Sequence, residues 1–165
     1  MGFKSIAFTA LATGFVGLAH PAHGQTVTAG DPDGMVDVLT DAGYDASLET
    51  DDYGDPKIVT EAGGWPTSIV FYDCDENTHD GCGSVQFVTG LDRRDPMRPE
   101  DALAISQRFR FLAVSLDEEG DPFLHWDVIT DEGVSAATFL KAFRRFGETV
   151  NDASEVIFAE ERGQE

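Results

Sequence analysis

One hundred and sixty-five residues suffice for one domain with appendages, and a composition of 41% hydrophobic and 10% aromatic residues supplies a core. Thirty-one acidic residues against eleven basic ones leave a formal net charge of −20. That balance argues against nucleic acid and anionic membrane surfaces, where phosphate must meet clustered Lys and Arg, and suits a solvated surface, a cation or a basic partner.

The chain opens as a targeting segment. Lys4 precedes an uncharged apolar stretch, Ile6–Leu18, and Ala22-His23-Gly24 sets small residues at the −3 and −1 positions of a cleavage site. This reads as a secretory signal peptide over residues 1–24. The apolar stretch is short and Gly-punctuated for a membrane span. No Cys follows it to carry a lipid. A mature chain is expected to start near Gln25, to be periplasmic or secreted, and to be free of the membrane. Residues 25–30 are expected as a flexible lead-in, 31–158 as a single domain and 159–165 as a frayed tail.

Asp31-Pro32 opens the first helix, with Asp31 as N-cap and Pro32 at the first position. Met35, Val36, Val38, Leu39 and Ala42 form its apolar stripe, and Gly43 ends it. A strand over Ala46–Thr50, with Leu48 inward, turns through Asp51–Pro56 into a returning strand over Lys57–Ala62. Gly63-Gly64 then leads into a central hairpin. Its strands, Thr67–Tyr72 and Val85–Val88, are rich in Val, Ile, Phe and Tyr. The polar loop between them begins at Cys74 and ends at Cys82.

Leu91–Arg98 is a connection holding Arg93, Arg94 and Arg98. Pro99-Glu100-Asp101 starts a second helix, with Ala102, Leu103, Ile105 and Phe109 apolar and acidic residues suiting the dipole in the first turn. Phe111–Leu116 and Phe123–Thr130 read as strands about a second acidic turn. The first places Leu112, Val114 and Leu116 on one face. The second sets Leu124, Trp126 and Val128 opposite Phe123 and Ile129. Ser135 caps a last helix with Ala136, Phe139, Leu140, Phe143, Phe146 and Val150 on one face. Asn151-Asp152 is expected to interrupt it.

Helix-strand-turn-strand thus occurs twice, with Gly54-Asp55-Pro56 and Gly120-Asp121-Pro122 at a common offset. The pattern predicts one α+β domain, a twisted antiparallel sheet of about five or six strands with helices packed chiefly on one face. Apolar residues on both strand faces, near Val70–Tyr72 and Phe123–Ile129, leave a second face for a helix, a partner chain or a ligand.

After export, Cys74 and Cys82 read as a disulfide closing the hairpin mouth. Closing so short a loop should add about 2 kcal/mol by the chain-entropy account. A metal is the alternative, held by Cys74, His79 and Cys82 with one of Asp73, Asp75 or Asp80. A redox pair is the third, although Cys-x7-Cys is not Cys-x-x-Cys. At the acidic turns, Asp51, Asp52 and Asp55, or Asp117, Glu118, Glu119 and Asp121, are candidate oxygen ligands for Ca²⁺ or another cation. Neither turn has EF-hand spacing. The structural alternative is that Gly takes a positive φ and Asp-Pro re-enters an extended conformation. Lys141, Arg144 and Arg145 sit off the apolar helix face, either paired with nearby carboxylates or docking an acidic patch of a second copy in a homodimer.

Catalysis finds little support. The mature chain has His79 and His125, and a Ser-His-Asp site would need Ser68, Ser84 or Ser115 beside the latter. No nucleophile elbow and no phosphate-cradling loop is present. No catalytic residue, metal site or cofactor is assigned.

The order Asp31-Pro32, Ala42-Gly43-Tyr44, Gly54-Asp55-Pro56, Phe71-Tyr72-Asp73-Cys74, Cys82, Val85-Gln86-Phe87 and Leu116-Asp117-Glu118-Glu119-Gly120-Asp121-Pro122 resembles the YbjN domain family over most of residues 31–150. It is similar to the exported, two-cysteine version found in proteobacteria. The resemblance implies a regulator of sensory transduction, a fold related to type III secretion chaperones, and no established catalytic residues. Such a protein would be a non-enzymatic exported binding or regulatory protein with an unknown protein partner. The alternatives are a periplasmic cation or small-ligand binder using the acidic turns, and a hydrolase with an unrecognised site.

Overall fold

The computed structural model describes residues 25–163, so the expected signal peptide lies outside the described residues. In chain order the elements are β1 (Thr26–Val27), α1 (Pro32–Asp41), β2 (Ser47–Thr50), β3 (Pro56–Ala62), β4 (Trp65–Tyr72) and β5 (Ser84–Gly90). They continue with α2 (Pro99–Arg108), β6 (Ala113–Leu116), β7 (Pro122–Ile129), β8 (Val134–Ser135), α3 (Ala136–Ile157) and α4 (Ala159–Arg162). Six strands form one antiparallel sheet in the order β2-β3-β4-β5-β7-β6, and β1 pairs with β8. This is the expected α+β class, with the helices packed chiefly on one face.

Local chemistry explains most boundaries. The Asp31 side chain accepts from the Gly34 N–H, and Pro32 starts α1. Ser135 caps α3 by accepting from Thr138 N. Gly63 and Gly64, at φ 63° and 87°, form the two-residue turn that pairs Ala62 with Trp65.

The core lies between the sheet and α3. Side chains alternate across a strand, so Ile58, Ile69, Phe71, Val85, Phe87 and Leu124 share the inner face, and all are buried. Over them lies α3, 22 residues long, with Phe139, Phe143, Phe146 and Val150 fully buried. The Phe87 ring sits 5.7, 5.1 and 5.7 Å from those of Phe139, Phe143 and Phe146. Tyr44, just after α1, meets Phe143 edge-on at 4.9 Å.

Contact between two glycines fixes where α3 crosses. A Cβ on Gly147 would lie 2.6 Å from Gly63 N, and one on Gly63 would lie 2.5 Å from Gly147 O. One turn on, Asn151 Oδ1 accepts from Trp65 Nε1 and its Nδ2 donates to Gly63 O, both at 3.0 Å. Asn151-Asp152 therefore does not interrupt the helix. The polar side chain is spent on the β3–β4 turn rather than on the helix backbone, and α3 runs unbroken to Ile157.

Several other expectations are corrected. The supposed lead-in contributes β1: Thr26 and Val27 pair with Ser135 and Val134, Ala136 N donates to Gln25 O at 2.7 Å, and Val27 and Ala29 are buried. The tail is helical over Ala159–Arg162, and Glu161 Oε1 accepts from Arg94 N and lies 3.3 Å from Arg93 Nε. Leu48 does face inward, paired with Ile58, but β2 is an edge strand and leaves it 40% exposed. Leu103 is exposed, because α2 buries only Ala102 and Ile105. Phe111 precedes β6 rather than starting it. No helix of the described residues is long and apolar enough to cross a membrane.

Gly147→Ala should destabilise the protein despite alanine's helix-propensity advantage of about 1 kcal/mol. Overpacking against Gly63 is expected to cost about 1–3 kcal/mol, read as a lower urea midpoint. Gly34→Ala is no control, because its Cβ would strike the Asp31 cap. Gly30→Ala, whose nearest neighbour would be 3.7 Å away, is the matched variant, and its midpoint should barely move.

Candidate interaction face of the sheet

Opposite α3, nothing among the described residues covers the sheet. Its register aligns Tyr72, Ser84 and Ile129 in one row, Lys57, Val70, Gln86 and Asp127 in the next, and Val59, Ser68, Val88, His125 and Ala113 in a third. Val59, Val70 and Val88 are half-buried by their neighbours, while Tyr72 is 45% and Ile129 75% exposed. Among the described residues the two-sided apolar pattern thus ends in an uncovered surface, with valines between polar side chains in its inner rows and Tyr72 and Ile129 in its end row.

A chain of hydrogen bonds crosses this face. Gln86 Nε2 donates to Asp127 Oδ1 at 2.8 Å, which leaves Gln86 Oε1 as an acceptor facing His125 Nδ1 at 2.9 Å. With the proton on Nδ1, His125 Nε2 accepts from Ser115 Oγ at 2.7 Å. Burial pushes the His125 imidazole below its usual range, and the Asp127 charge opposes that. Burial, then Asp127 and Asp51, push the Tyr72 phenol up.

The Ser115–His125 contact resembles part of a nucleophilic site, but Asp127 reaches the imidazole only through Gln86. Acyl transfer also needs oxyanion donors converging on the serine inside a cleft. Ser115 and His125 are instead diagonal neighbours on a flat pair of strands. The arrangement orients side chains on a surface. Strand parity sets Asp127 on the same face as His125, and of Ser68, Ser84 and Ser115 it is Ser115 that bonds the imidazole. Gln86 was not readable in this way, because β5 and β7 are distant in sequence.

Cys74 and Cys82 form a disulfide, with Cα atoms 3.9 Å apart. His79 is not directed to the sulfurs. Its Nδ1 lies 2.8 Å from Asp55 Oδ1, which docks the bridged loop on the first Gly-Asp-Pro turn. Within that loop Asp75 accepts from the N–H groups of Asn77 and Thr78, which holds its carboxyl below the usual range.

The two acidic turns are built alike. Asp51 Oδ1 accepts from Tyr53 N and Asp55 N, and Asp117 Oδ1 accepts from Glu119 N and Asp121 N, all at 2.9 Å. Gly54 and Gly120 take φ of 99° and 85°. Asp121 Oδ1 accepts from Arg93 N at 2.9 Å, as Asp55 holds His79. Asp52, Glu118 and Glu119 point to solvent. Among the described residues no three Asp, Glu, His or Cys side chains gather as a metal site.

Of the basic trio, Lys141 and Arg144 are exposed, and Arg145 Nη1 pairs with Glu148 Oε2 at 2.8 Å. Arg145 also lines a cleft of about 330 Å³ with Arg108, Arg110, Phe111 and Trp126. Sequence reading missed this grouping, although the run Arg108-Phe109-Arg110-Phe111 was its signal. Phe111 is 68% exposed, takes a φ of 66° and stands 5.1 Å from the Trp126 ring.

Comparison with solved structures shows the fold to be similar to "Crystal structure of YbjN, a putative transcription regulator from E. coli". The TM-score is 0.56 at 17% identity, over 79% of this chain and 92% of that chain. A chain of the HopA1-SchA chaperone-effector complex is similar with a TM-score of 0.48 at 14% identity, over 76% of this chain and 92% of that chain. Comparison with curated proteins gives no match. The profile of the YbjN family, described as "Putative bacterial sensory transduction regulator", matches residues 31–159. The chain belongs to the YbjN family.

Proposed function

We propose that this is an exported, non-enzymatic binding and regulatory protein of the sensory-transduction type, which holds a protein partner on the open face of its sheet. The uncovered row of Tyr72 and Ile129, on a sheet whose other face is filled, carries this reading. Large apolar side chains exposed together at one end of a sheet face and bordered by polar groups suit a protein interface. Burying Ile129 against a partner would contribute about 1.5–3 kcal/mol. The chain Ser115–His125–Gln86–Asp127 would set the register, since its members are already satisfied. Export is supported by the pattern of residues 1–24 and by the Cys74–Cys82 bridge, which persists in oxidising compartments.

A photo-crosslinker at position 129 tests the face in the periplasm of a producing cell, with one at Tyr53, exposed at the β2–β3 turn, as control. A discrete crosslinked species at 129 and none at 53 is expected, and Ile129→Asp should abolish partner association with a stability change within about 0.5 kcal/mol. Equal crosslinking at both positions would remove the face from consideration. Light scattering over a concentration series would identify a second copy as the occupant. Mass spectrometry of the periplasmic protein should give a chain starting near Gln25 that resists thiol alkylation until reduced. An intact leader or two free thiols would overturn the export.

Neutral His125 also predicts a pH dependence. Burial holds the folded group below its ordinary value of about 6.5, so the unfolded chain takes up the proton first as pH falls. The stability it contributes is full above that value and is lost as pH drops toward the folded one. His125→Gln should therefore show a flatter fall of Tm between about pH 7 and 5 than the unaltered protein. Identical slopes would mean that His125 does not titrate as its surroundings require.

A further inference from the structure

We propose that the cleft walled by Arg108, Arg110 and Arg145 over Phe111 and Trp126 binds an acidic peptide segment, in which a carboxylate stands beside an apolar side chain. This rests on the protein-contact reading but uses the helix side of the molecule, away from Tyr72 and Ile129.

In a chain of net charge −20, three arginines line one cleft, and of these, among the described residues, only Arg145 has a carboxylate partner, Glu148. Among the described residues neither Arg108 nor Arg110 is paired with a carboxylate. Each guanidinium lies over a ring instead, Arg108 at 5.4 Å from the Phe109 centroid and Arg110 at 5.0 Å from that of Phe111. Their donors are free to take a carboxylate in a forked geometry. Lys141, one turn before Arg145 on α3, continues the basic stripe. Phe111 adds a second, independent mark. It is a bulky residue in the left-handed region, and it is largely exposed. Such a backbone is strained and clusters at binding sites.

The extent of the groove favours a peptide over a small anion. Arg108 is shared with a second cleft of about 300 Å³ between α2 and α3, where Met97, Ile105 and Val156 supply apolar walls beside Arg93 and Asp101, the latter paired with Arg98. The two together offer a basic, aromatic end and a mixed end with apolar walls. A phosphate would fill only the first. An extended segment carrying Glu or Asp next to Leu or Phe would use both.

The test uses labelled peptides of alternating Glu and Leu, with Gln–Leu and Lys–Leu counterparts, titrated by fluorescence anisotropy against the whole mature protein. The Trp126 indole N–H is followed by NMR. The Glu–Leu peptide should bind about tenfold or more tighter than either counterpart and shift the Trp126 signal. Arg108→Glu with Arg110→Glu should weaken it by about tenfold or more. The milder pair Arg108→Gln with Arg110→Gln should weaken it less, with unaltered melting. Equal affinity for the Gln–Leu peptide, or indifference to both arginine pairs, would overturn the proposal. So would the full Trp126 shift produced by inorganic phosphate alone, which would make this a small-anion site. Binding lost in Ile129→Asp but kept in the arginine variants would place the segment on the sheet, overturning the cleft and leaving the open-face reading intact. The reverse pattern supports the cleft whatever becomes of that face.

Discussion

Phe87 has no exposed surface and is touched by three phenylalanines of α3. That contact governs the rest of the architecture. A helix of 22 residues spans about 33 Å, enough to cross the sheet once. Its apolar face can bury only one side of the strands. Gly63 and Gly147 let the helix backbone come down on the β3–β4 turn, and Asn151 holds it there. The described residues hold no second helix of this length for the opposite side, and among them nothing covers Tyr72 and Ile129. Openness of that face is a consequence of how the core was filled.

Acidity serves two purposes that should be kept apart. Asp51 and Asp117 close their own turns by accepting backbone N–H groups, which is a structural job for a carboxylate. Asp55 and Asp121 then each receive a loop from elsewhere, the bridged loop through His79 and the Leu91–Arg98 connection through Arg93 N. The internal echo therefore extends beyond sequence into how the two halves are tied. Most other carboxylates lie on the surface, against which the arginine cluster beside Trp126 is conspicuous.

What the sequence made legible was what local chemistry decides. The Asp31 and Ser135 caps, the glycine turns, the disulfide and the inward phenylalanines of α3 each depend on residues a few places apart, and each is found. What escaped depends on partners far along the chain. Asn151 looked like a helix breaker because its partners, Gly63 and Trp65, lie more than eighty residues earlier. Leu48 took the right face, but nothing in its own segment says that β2 would be the last strand, at the margin of what the helices cover. The conformation of Phe111 has no local signature at all, since φ above zero is expected of glycine or asparagine and not of phenylalanine. On the candidate face, strand parity sets Asp127 beside His125 and cannot supply Gln86, which lies on β5.

The short pair of β1 with β8 bears on the order of assembly. Ala29 N reaches Thr130 Oγ1 across 101 residues, and Gln25 receives the first amide of α3. A chain emerging from its N-terminus shows β1 long before β8 exists, and closing so wide a loop is slow. The native start of α3 is therefore locked only when nearly all of the polypeptide is out. Until then the apolar inner face of the sheet, whose six strands all precede α3, has no helix to cover it, and the nascent protein is exposed to aggregation and proteolysis.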